Sequence, residues 1–97
     1  VINVADSGDN TLQAAAGAGI KIRVTSAMLV ATGAVSVRFE SGASGTALTG
    51  VMPLVASSGF TLPYNPDGWF ETADNALLNL ELSAAESVDG CFTYVEV

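Results

Sequence analysis

Apolar and polar residues alternate with a period of two over most of this 97-residue chain. Ile20, Ile22 and Val24 alternate with Lys21, Arg23 and Thr25, and Val35, Val37 and Phe39 alternate with Ser36, Arg38 and Glu40. The cleanest run sets Leu78, Leu80 and Leu82 against Asn79, Glu81 and Ser83. Successive side chains of a strand point to opposite faces, so each run predicts a strand with one dry and one wet face. On this reading Leu80 is core, whereas Asn79 and Glu81 face water. No segment carries apolar residues at the helical period for three turns between caps, so segments 11–16 and 83–87 are read as turns or single helical turns.

Two stretches break the one-face rule. Segment 27–31 is apolar throughout, and in segment 91–97 Phe92 and Tyr94 oppose Cys91, Val95 and Val97. A strand apolar on both faces lies inside a covered sheet or serves as core on one side and interface on the other. No helix is available to cover a sheet, so Met28, Phe92 and Tyr94 are candidate interface residues. Thr32-Gly33 predicts a tight reversal that pairs the flanking strands antiparallel, and Ser57-Ser58-Gly59 predicts a hairpin between segments 52–56 and 60–62. Segments 46–49 and 69–73 add short strands. The sum is about eight short strands with turn signals every eight to twelve residues, which predicts one all-β domain over residues 1–97, an antiparallel β-sandwich or jelly roll.

Composition narrows the partners. Three basic residues face ten acidic ones, a net charge of −7, so the clustered cations that neutralise phosphates are missing and nucleic acid is not an expected partner. The longest apolar run, 27–31, is far too short to span a bilayer, so no membrane association is expected. Charged residues are 13% of the chain against a usual quarter, so small polar residues must cover much of the surface, which suits close repetitive packing. Cys91 is the only cysteine, with no histidine in the chain to activate it, and is expected to be buried.

Candidate chemistry is sparse. Pro63, Tyr64, Asn65, Pro66, Asp67, Gly68, Trp69 and Phe70 form a turn whose prolines fix the backbone, so Tyr64, Trp69 and Phe70 are held with little entropy left to lose. Rigid aromatics make contact anchors or ligand patches; the alternative is a plug closing one end of the sandwich. Asp6, Ser7, Gly8, Asp9 and Asn10 offer oxygen ligands, but the remaining ligands of a calcium loop are missing and the same residues make ordinary turns, so no metal or cofactor is expected. No two acidic residues stand out as a catalytic pair and no serine has a visible activator, so the chain is not expected to be an enzyme. Val1, Ile2 and Val4 are apolar and are followed at once by turn residues. They need a surface to lie on, an edge of their own sandwich, a neighbouring subunit or a shell, and the expectation carried forward is an N-terminal arm within residues 1–10 that helps to attach the domain to a partner.

Most of the second half of the chain resembles a family of small virion proteins of tailed bacteriophages. The resemblance is carried by Ala47-Leu48-Thr49-Gly50, Met52-Pro53-Leu54, Gly59-Phe60-Thr61-Leu62-Pro63-Tyr64-Asn65-Pro66, Gly68-Trp69-Phe70-Glu71-Thr72, segment 76–84 and Tyr94-Val95-Glu96-Val97. It implies a capsid decoration, or cement, protein: a homotrimeric jelly roll on the outer surface of an icosahedral head, bound to the major capsid protein. The alternative function is a trimeric tail-fibre or adhesin head that binds a host receptor or glycan through its aromatic turn.

Overall fold

The computed structural model describes residues 1–97 as ten strands without a helix. They are β1 Ile2–Val4, β2 Gly8–Gln13, β3 Ile22–Ala31, β4 Val35–Ser41, β5 Thr46–Ala47, β6 Met52–Leu54, β7 Gly59–Leu62, β8 Phe70–Glu71, β9 Leu78–Leu82 and β10 Val88–Glu96. Every pairing is antiparallel. Sheet A runs β1-β10-β3 with β7 and β8 both on the far side of β3, and sheet B runs β2-β9-β4 with β5 and β6 both on the far side of β4. Taken together, β5 and β6 are one interrupted edge strand, as are β7 and β8. Counted so, the eight positions follow the strand order of a jelly roll, changing sheet at every step except from β4 to β5–β6, which share sheet B.

Alternation builds the core. Ile22, Val24, Ala27, Leu29 and Ala31 of β3 face Val35, Val37 and Phe39 of β4 and Leu78, Leu80 and Leu82 of β9 across the sandwich, all buried. A shift of register between Thr93 and Tyr94 opposite Thr25 and Ser26 breaks the strict alternation of β3. Thr25 is therefore buried rather than wet. Its hydroxyl bonds that of Thr93 at 2.7 Å.

The structure corrects several local expectations. The chain crosses from sheet A to sheet B at Thr32-Gly33, so β3 and β4 do not pair; both flanks need the same core, and a sandwich supplies it from opposite sides. Likewise β6 and β7 are no hairpin, because β6 pairs with β4 and β7 with β3. Residues 11–13 are strand rather than turn, since β2 pairs with β9. The N-terminal segment is no free arm either. Ile2 pairs with Gly90 and is 2% exposed, and Val4 packs on the core. Cys91 is exposed, because its register partner is the outward Met28. Asn79 is fully buried on the face expected to be wet, for a reason given below.

Candidate functional site

The outer face of sheet A is the surface that the double-sided apolar strands create. Across β10, β3 and β7, Cys91 lies opposite Met28 and Met28 opposite Thr61, while Asp89, Val30 and Gly59 form the next row. Met28 is 52% exposed and Val30 43%. Farther along, Val95 lies opposite Arg23, which lies opposite Glu71. Arg23 Nε donates to Glu71 Oε1 at 3.1 Å and Lys21 Nζ lies 3.6 Å from Oε2, so hydrogen bonding from Arg23 holds the Glu71 carboxyl below its usual range.

Charge is distributed unevenly about this face. Lys21 and Arg23 balance Glu71 and Asp89 there, which leaves Arg38 against eight carboxylates for the rest of the chain, the whole net charge of −7. The face as a whole is therefore net neutral and half apolar on a strongly acidic molecule.

The aromatic turn is bolted to β3 beside it. Asn65 N donates to Thr25 O and Trp69 N to Val24 O, at 2.8 and 2.9 Å, and Gly68 closes the turn with a φ of +82°. Tyr64 stands 70% exposed and shares a hollow of ≈ 250 Å³ with Met28, Thr61, Pro63 and Cys91, so the turn and the outer face are continuous. Trp69 points the other way, toward the edge of the sandwich, where its indole N–H donates to Pro63 O at 2.8 Å. Phe70 is half-buried, its ring 4.9 Å from that of Phe39.

The expected partner-binding residues thus divide. Met28 and Tyr64 come together, and Val1 is exposed at the opposite edge of sheet A. Ile2, Val4, Phe70, Phe92 and Tyr94 pack on the core instead. Phe92 and Tyr94 lie opposite the inward Ala27 and Val24, with ring centroids 5.7 Å apart, so the outward residues of β10 are Cys91, Thr93 and Val95. The alternation in segment 91–97 was legible, but not which set faced in.

The outer face of sheet B carries a polar network that sequence reasoning missed. Glu40 is fully buried there, paired with Arg38 through Oε2 and accepting from Asn79 Nδ2 at 2.9 Å. Arg38 also reaches Glu81 at 2.8 Å. Asn79 accepts from Asn10 N at 2.8 Å and donates to Asp9 Oδ1 at 2.8 Å, and the turn after β4 covers the group through Ser44, which donates to both Asp9 oxygens. The polar residues of β4, β9 and β2 thereby satisfy one another beneath a loop, which is why Asn79 can be buried without loss. The spacing Arg38-x-Glu40 opposite Asn79-x-Glu81 was the available signal, visible only once the strands are known to pair.

Two carboxylates share one guanidinium here, so their protons are coupled. Burial pushes the Glu40 carboxyl up, but hydrogen bonding with Glu81, Arg38 and Asn79 outweighs it and holds the group low. Glu81 is pushed up, first by its hydrogen bond to Glu40 and then by burial, against the pull of Arg38. The arrangement makes Glu81 the carboxyl of the pair that takes up a proton more readily. Glu40 offers no surface to a substrate. The carboxylate of Asp9, weighed as an ion ligand, is occupied by Ser44 and Asn79, and bonding from Ser44 first holds it low. Asn10 is a latch, its amide donating to the carbonyls of Asp6, Gly8 and Leu80. Comparison with protein-family models, with curated proteins and with solved structures gave no match.

Proposed function

We propose that the chain is a structural binding module that associates with copies of itself and coats a larger particle, in the manner of the phage capsid decoration proteins its second half resembles. The observation that carries this reading is the charge-balanced, half-apolar outer face of sheet A, centred on Met28 and Val30 and continued by Tyr64. Like-charged copies repel over the rest of their surface, so close approach is favoured where charge is balanced and apolar area can be removed from water. A homotrimer on the outer surface of a capsid, bound to the major capsid protein, is the assembly proposed. Many individually weak attachments then act together through multivalency.

Light-scattering mass at micromolar concentration tests the first step: the wild-type chain gives a trimer and Met28→Lys a smaller species. A monodisperse wild-type monomer refutes the reading. A second reading, a receptor- or glycan-binding head of a tail fibre, is favoured by one feature, the exposed Tyr64 ring held between Pro63 and Pro66. Saturable binding to undecorated capsids without affinity for sugars supports decoration, and the reverse supports the head.

A further inference from the structure

At one side of the sandwich the two interrupted edge strands fail to meet. Between β5–β6 of sheet B and β7–β8 of sheet A a cleft of ≈ 450 Å³ runs inward, walled by Met52 and Leu54 on one side and Phe60 and Leu62 on the other. The tilted ring pair of Phe39 and Phe70 forms its floor, and Trp69 stands at its rim. Phe39 has no exposed surface, so the floor of the cleft closes over the core, and the half-buried Met52, Leu54, Phe60, Leu62 and Phe70 are what a guest meets.

The lining dictates what it can hold. No charged side chain lines it. Its polar side-chain groups are already used: Thr49 Oγ1 accepts from Phe39 N and donates to Gly50 O, and the Trp69 indole N–H donates to Pro63 O. A guest therefore finds neither a counter-charge nor a free hydrogen-bonding side chain, and a polar or charged one would lose its hydration without replacement. The net charge of −7 further opposes an anionic guest. An added protein strand is also disfavoured at the mouth. Pro53 sits at the middle of the three-residue β6 and Pro63 directly after the four-residue β7, which removes backbone donors from both short edges.

We propose that this cleft is a binding site for a neutral, apolar small molecule of about two rings or the equivalent branched hydrocarbon. Its volume falls in the range of small-molecule sites, and a dry apolar cavity of about a third that volume suffices for a single benzene ring. The rim is held by the turn bonded to β3, so little ordering entropy opposes entry.

The chain supplies its own reporter, because Trp69 is its only tryptophan. The full wild-type chain is titrated with N-phenyl-1-naphthylamine, a neutral two-ring fluorophore, and energy transfer from Trp69 is read. Saturable binding of one probe per chain is expected. Leu54→Phe, which fills the cleft, weakens it about tenfold or more, and Asp74→Asn, at an exposed position away from the cleft, leaves it unchanged. Absence of saturable binding overturns the proposal, as does binding kept at full strength in a folded Leu54→Phe. Should Leu54→Phe not fold, the sulfonated analogue 1-anilinonaphthalene-8-sulfonate decides on the wild-type chain. It must bind about tenfold more weakly than the neutral probe, and equal binding overturns the assignment.

Discussion

Replacing Asn79 by alanine is the sharpest test of the network on sheet B, because its side chain lies on the face that simple alternation assigns to water. The substitution removes three hydrogen bonds at once. The buried Asn10 N–H loses its acceptor and is left unsatisfied, at a cost of about 1–3 kcal/mol. The buried Glu40 carboxylate loses the donor to Oε1, a bond to a charged group worth about 1.5–3 kcal/mol. Asp9 is exposed and keeps both bonds from Ser44, so its loss adds little. The two main losses share a network and do not add fully, which gives about 3–5 kcal/mol. Leu80→Ala, by cavity formation in the core, costs about 2–5 kcal/mol. The polar substitution is thus expected to match the apolar one. Equilibrium urea unfolding at fixed protein concentration measures both. An Asn79→Ala protein within about 0.5 kcal/mol of wild type, beside a damaged Leu80→Ala, would refute the buried network.

Acidification is expected to destabilise the fold through Glu40: its folded-state pKa lies below the ordinary glutamate value of about 4.3, so the unfolded chain takes the proton first and the stability present above that value is lost as pH falls below it. Glu40→Gln flattens that acid slope, whereas Glu81→Gln, which removes a carboxyl whose ionisation the fold makes harder than the unfolded chain does, is neutral or stabilising at pH 7; urea midpoints across pH 3–8 check both. Deleting residues 1–4 is expected to unfold or strongly destabilise the domain, since Ile2 is core, and a thermal melt unchanged by the deletion contradicts that placement. Gly90→Ala is expected to cost about 1–3 kcal/mol or more by denaturant unfolding, because a Cβ there would overlap the Met28 carbonyl oxygen of the adjacent strand.

Strand identity was legible wherever one face is apolar and the other polar, as in 35–41 and 78–82, because a single alternation fixes both the strand and its inward set. Pairing was not. Thr32-Gly33 carries the residues of a reversal whether the chain turns back into its own sheet or crosses to the opposite one, and only the global need to enclose one core decides. Segment 91–97 shows a second limit. With apolar residues on both faces, register alone assigns Phe92 and Tyr94 to the core and Cys91 to the surface. The network of Asp9, Arg38, Glu40, Asn79 and Glu81 stayed hidden for the same cause, since its members come from three strands far apart in sequence. Met28 and Tyr64 were readable as exposed candidates, and their adjacency was not.

The position of the last two strands sets the order in which this protein can come into being. β10 lies between β1 and β3, and β9 between β2 and β4, so each sheet is completed at its middle by a strand from the C-terminal end. Only β4 and β5 pair as neighbours in sequence. A chain emerging from the ribosome can therefore join β3 to β7 and β8 and β4 to β5 and β6, but β1 and β2 have no partner until residues 78–96 are free, and the loops to be closed then reach from Ile2 to Gly90. Folding is a single late event of high contact order, slower than that of a helical domain of equal length. Until then segment 27–31 has a partner on one edge only, and any product stopped before residue 78 holds two half-sheets without their central strands, a substrate for proteases and chaperones rather than a partly active protein.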